Sequence, residues 1–230
     1  EVDESNTETN HSIEPVAKLS QINVTLFLSE QLLHHWDEQQ SSHILHQYLD
    51  QFGILKQNIK FKYIYSSKLN SLDSYLQELE IASTQEDQIS LFVAADSEIS
   101  QDIVDEKIWL KPNYIASEFC SSCLLASKMV NIQNIEAIKS LNFVYNQPKL
   151  SEALAHLEID HSLQCEKDHA FVSILGNPKE SKVIKKLHSN FVDSGIESQH
   201  FYFSKSSLGD SDELASLFGF MLAMHMNDQT

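Results

Sequence analysis

The chain has 230 residues, with 33 acidic against 16 basic side chains and a net charge of −17. Every basic residue is Lys, so the planar bidentate guanidinium that reads phosphates and base edges is absent. Together these argue against nucleic acid, which needs a cationic footprint, and against anionic membrane surfaces, while the length is enough to bury a core without metals or disulfides.

Residues 1–16 are polar and acidic and read as a flexible N-terminal lead, leaving 17–230 as a single domain. The start at Glu1, without Met or an apolar signal segment, suggests a processed chain, compatible with a secreted or periplasmic origin. Ile22 to Leu28 is a β-rich apolar run and predicts a strand. Glu30 to Gln51 carries Leu32, Leu33, Trp36, Ile44, Leu45, Tyr48 and Leu49 in patches of helical spacing. Ile59 to Tyr65 alternates with lysines as a second strand, Leu69 to Ile81 repeats Leu72, Leu76 and Leu79 as a helix, and Ile89 to Ala95 predicts a buried strand.

Beyond a loop with Pro112, Phe119 to Val130 reads as a helix opening on Cys120. Ile132 to Leu157 is mixed, with helices flanking a short strand from Asn142 to Tyr145. The last third repeats the earlier grammar: strand His169 to Leu175, helix Lys179 to Phe191, strand Gln199 to Phe203, and an apolar helix from about Asp210 to Met226. Its apolar stretch, Leu214 to Met226, is too short to span a bilayer and predicts a central core helix. Alternating strands and helices give an α/β fold with a parallel or mixed sheet, and five Gly and four Pro leave no flexible linker. One compact domain of two similar halves is the economical architecture.

Cys120-Ser-Ser-Cys-Leu-Leu-Ala126 resembles the nucleophile motif of β-ketoacyl synthases in the thiolase-like superfamily. There a Cys starts a buried helix, whose positive end lowers the thiol pKa. Ser151 to Glu180 is similar to the family stretch that ends in its first catalytic His, and aligning Gly176 places Leu175 at that His. Lys205-Ser-Ser-Leu-Gly-Asp210 resembles the motif of the second His: Lys205 and Gly209 match, and Asp210 replaces the His. The resemblance thus implies a thiolase-like fold with a degenerate site of Cys120, Leu175, Lys205 and Asp210. Leu175 has no side-chain donor, and an ionised Asp210 opposes developing negative charge, so no catalytic residues are expected.

The remaining constellations are weaker. Cys120, Cys123 and Cys165 are disulfide candidates in an oxidising compartment, and the CxxC spacing admits redox chemistry. No metal site is expected there, because the CxxC has neither a second pair nor a zinc-type His. His34, His35, His43 and His46 sit on the first long helix, and His43 with His46 would present two imidazoles, yet no acidic or thiol partner completes a metal site. Ser173 and Ser207 lack a nucleophile elbow, and Gly176 to Pro178 is a turn rather than a phosphate cradle.

Overall the chain resembles accessory proteins of type VI secretion in Acinetobacter-like bacteria. That resemblance implies a non-catalytic periplasmic scaffold, with the cytoplasm as the other compartment. Its protein partner would be a membrane-core component of the secretion apparatus, a homo-oligomer is compatible, and neither a cofactor nor membrane insertion is expected. The alternative expectation is an acyl-thioester enzyme of the condensing type with Cys120 as nucleophile, assisted by Lys205 or His169.

Overall fold

The computed structural model describes residues 21–67, 70–99, 101–111, 114, 116, 118–130, 137, 138, 140–144, 149–156, 172–174, 201–203 and 214–225. Four strands form an open mixed sheet: β1 (Gln21–Ser29), β2 (Ile59–Ser66), β3 (Gln88–Ser97) and β4 (Glu118–Ala126), in the order β2-β1-β3-β4. β1 runs parallel to both β2 and β3, whereas β4 is antiparallel to β3. Five helices are described: α1 (Glu38–Asp50), α2 (Ser71–Ser83), α3 (Gln101–Leu110), α4 (Leu150–His156) and α5 (Ala215–His225). Two short strands, β5 (Val172–Ile174) and β6 (Phe201–Phe203), pair in parallel as a separate sheet.

Side chains alternate across a strand, so β1 feeds two cores. Val24, Leu26 and Leu28 point to one face, where Leu32, Trp36, Leu45 and Leu49 cover them. Phe27 points to the other, packed with Phe92, with Tyr75 and Leu79 of α2, and with Leu217, Phe218 and Met221 of α5. Aromatic rings tie this second core together: Phe27, Tyr75 and Phe92 meet pairwise at 5.1 to 5.4 Å, and Phe119 lies 3.6 Å from Phe218. Fully burying a side chain of this kind is worth roughly 1.5–3 kcal/mol, so this cluster is the principal source of stability among the described residues. The apolar helix expected near the C-terminus is thus a core helix, with Leu217, Phe218 and Met221 buried.

Several boundaries depart from the sequence reading. The long helix expected over Glu30 to Gln51 is split into a single 3-10 turn at Glu30–Leu32 and α1, which begins only at Glu38. Asp37 causes the restart, since its carboxylate accepts the Gln40 amide at 2.8 Å as an N-cap. α1 closes on Gly53, whose φ of +76° permits the left-handed turn that hands Leu49 O to the Ile54 amide. α3 was hidden in the sequence. Buried Glu98, just past β3, ties it down by accepting Lys107 Nζ of α3 and the Tyr114 hydroxyl. Residues 142–144 are not a strand.

The largest correction concerns 119–130, which is no helix: 118–126 is β4 and no helix follows among 127–130. Phe119, Cys123 and Leu125 pack against the α2–α5 core while Cys120, Leu124 and Ala126 face outward, a period of two rather than 3.6. Ser121 and Ser122 favour this outcome, because serines mid-helix compete with the backbone ladder. The expected helix Lys179 to Phe191 lies outside the described residues, and of the strand expected over 169–175 only 172–174 is described. The α/β class and the mixed sheet hold.

Candidate functional site

Of the sequence-derived site residues, Cys120 and Cys123 are described, whereas Leu175, Lys205, Asp210 and the thiol of Cys165 lie outside the described residues. Cys120 sits mid-strand opposite Ala95 on the outward face of β4, with no helix N-terminus behind it. Desolvation pushes its thiol above the usual range, opposite to what a nucleophile needs. Cys123 faces the core, 3.5 Å from the Tyr75 hydroxyl; burial raises its thiol and that hydroxyl partly offsets the rise. Burial also raises the Tyr75 phenol.

An odd spacing within a strand puts the two thiols on opposite sides of the sheet. Three residues of strand also separate them by about 10 Å, beyond disulfide reach. Both are free, and the CxxC bridge is therefore not available to this strand. Cys165 leaves its pairing with either thiol open.

The carboxyl ends of the three parallel strands carry chemistry that the sequence reading missed. Ser66, Ser29 and Asp96 lie side by side across β2, β1 and β3, all buried and all facing α2. Asp96 accepts Ser29 Oγ at 2.5 Å, Gln31 Nε2 at 2.9 Å and the Ser97 amide at 2.9 Å. Its second oxygen, Ser66 Oγ and Ser71 Oγ at the start of α2 are buried without a protein partner. Open parallel sheets reverse strand order here, between β1 and β3, the usual place for polar ligands or ordered water. The only sequence signal was a polar Ser or Asp ending each apolar run.

α1 is the second missed feature. It meets β2 along a polar seam: Ser41 Oγ lies 2.9 Å from Tyr63 OH, which donates to Glu38 O, and Tyr65 OH donates to Glu38 Oε1 at 2.9 Å. No α1 residue is fully buried. On its outward side Ile44 and Tyr48, four residues apart, are 50% and 63% exposed, and Phe52 in the turn that follows is 73% exposed. A second exposed apolar group, Ile108, Trp109 and Leu110, ends α3.

His34 and His35 lie before α1 rather than on it, and His46 packs edge-on against Phe61 at 4.8 Å, its pKa lowered by burial and by Lys56 and His43. Among the described residues no group of three or more His, Cys, Asp or Glu is placed to hold a metal ion, and no helix is long and apolar enough to cross a membrane. The chain matches no protein-family model, no curated protein and no solved structure.

Proposed function

We propose that the chain is a non-catalytic accessory protein that works through protein–protein contacts, docking a partner on the outward stripe of α1. The observation that carries this reading is the exposed apolar row of Ile44 and Tyr48, continued by Phe52 in the following turn, on a helix already seated on the sheet by its other side. Helices that present such anchors are read by apolar grooves. A net charge of −17 further selects a partner whose groove is rimmed by Lys and Arg.

The finer reading is a periplasmic scaffold that supports assembly of a type VI secretion machine against a membrane-core component, on a fold of thiolase-like descent. Its support is the overall resemblance and the order of three sequence motifs. What weighs against the acyl-thioester alternative is that Cys120, on an exposed strand face with a raised thiol pKa, lacks the activation a nucleophile requires.

The test is a pull-down of purified membrane-core components by the full chain, repeated with Tyr48→Glu and Phe52→Glu. Capture that falls about tenfold or more in the variants, at unchanged circular dichroism, is the expected result for hot-spot anchors. Undiminished capture moves the docking face elsewhere, and no capture by the parent chain removes the secretion reading.

A further inference from the structure

A cavity of about 450 Å³ opens on the α2 side of the sheet, at the amino ends of the parallel strands. Its floor is polar where a helix-covered sheet would ordinarily be apolar: Asn23 and Thr25 of β1, Lys60 and Lys62 of β2, and Gln88 and Ser90 of β3. Thr25 and Ser90 are buried to 3% and 4% exposure, and neither hydroxyl has a hydrogen-bond partner among the described residues. Both residues line the cavity.

The hydrogen bonds around the rim consume acceptors and leave donors. Asn23 Nδ2 donates to Gln88 Oε1 at 2.7 Å and to Gln85 Oε1 at 3.2 Å, while Gln21 Nε2 donates to Asn23 Oδ1 and to Gln88 Oε1. These three amide oxygens each accept at least one hydrogen bond, Gln21 Oε1 is the one lining amide oxygen without a donor among the described residues, and the amide NH2 groups of Gln85 and Gln88 stay unclaimed there. Glu78, the one carboxylate in the lining among the described residues, is held by Lys62 at 2.6 Å, and Lys60 has no carboxylate partner among the described residues. Glu86 and Asp87, on the turn after α2, are outside the lining. The last-turn carbonyls of Ile81 and Ala82 are already bonded to the Thr84 and Gln85 amides.

We infer that this cavity binds a small organic anion, its carboxylate or phosphate met by Lys60, the Gln85 and Gln88 amides and the Thr25 and Ser90 hydroxyls. A surplus of donors around the Lys60 ammonium is complementary to an oxyanion, which only accepts. Ile81, Ala82 and Phe92 give the wall on which a short apolar part of the ligand would rest. The volume falls within the usual range for small-molecule sites, roughly 300–1,000 Å³. The site is on the opposite face of the sheet from the α1 stripe and is independent of partner docking.

The experiment is an amide NMR titration of the full chain with glutarate and, separately, with inorganic phosphate, each at constant ionic strength. Saturable shifts at Thr25, Lys60, Ser90 and the Gln88 side-chain amide are expected, with saturation by glutarate or by phosphate identifying which oxyanion the donors fit. Lys60→Glu should weaken binding at least tenfold and Thr25→Val severalfold, whereas Lys56→Glu, outside the cavity, should leave it unchanged. Shifts that rise linearly with either anion, or that persist unchanged in Lys60→Glu, overturn the proposal.

Discussion

Asp96 concentrates the polar energetics of the sheet in one side chain. Its carboxylate takes donors from the end of β1, from the turn that follows it, and from its own strand, so removing it strands three donors in a nearly dry setting. Asp96→Ala should cost about 2–3 kcal/mol, read as a lowered urea midpoint. Asp96→Asn keeps an oxygen for Ser29 and supplies an NH2 in place of the unpartnered oxygen, and should cost less; an Asn as damaging as Ala would show that charge, not geometry, is what β3 requires there. Tyr65 carries a different message, since burial together with its hydrogen bond and repulsion from Glu38 pushes its phenol up to about 12. A raised acid favours the folded state below the ordinary phenol value near 10 and gives that stability up as pH climbs toward 12. Tyr65→Phe should therefore flatten the alkaline loss of stability between about pH 10 and 12, measured by denaturant midpoints.

At the scale of elements, α1 is the marginal piece. It is seated by tyrosine hydroxyls and half-buried leucines rather than by a buried apolar stripe, and His46 lies in its seam beside Phe61 with Nδ1 unpartnered. Because the folded-state pKa of His46 is lowered, the unfolded chain binds the proton first. The stabilisation is whole above about pH 6.5 and is lost as pH falls through the lowered value. The protection of the α1 amides against hydrogen exchange, taken relative to the intrinsic rate, should fall on going from pH 7 to pH 5, and His46→Phe should remove that fall. An α1 equally protected at both pH values would place the acid response elsewhere. β4 shows how an element can be misread: Leu124, Leu125 and Ala126 are good helix formers, and only the pairing of Leu124 with Leu91 and of Cys123 with Phe92 settles the segment as a strand.

For the molecule as a whole, β1, β2, β3, α2 and α5 were legible because each carries enough apolar residues at one period to need burial on a known face. α3 was not: it is fastened by an ion pair from Lys107 to Glu98 outside the helix, and its Ile108, Trp109 and Leu110 stay exposed, so no amphipathic pattern announced it. The start of α1 was misplaced because the cap at Asp37 was overridden by the apolar residues before it. The cavity and the Asp96 row were invisible for a different reason. Each is assembled from residues on separate strands, such as Asn23, Lys60 and Gln88, that become neighbours only once the register is set. The motif that did stand out, Cys120 to Ala126, lies on a strand rather than a helix, and its thiols are parted by the pleat.

That parting gives the chain two clocks on one strand. Cys120 looks outward and Cys123 packs, partly buried, against the α2–α5 core, so a thiol reagent meets the first as a surface group and the second mainly when those helices lift away. Mass spectrometry of brief iodoacetamide pulses should find Cys120 modified promptly, with a rate that climbs steadily with pH as an unactivated thiol requires. Cys123 should follow at the pace of core opening, speeding up with urea, and simultaneous modification of both would mean that the strand does not keep its two faces apart.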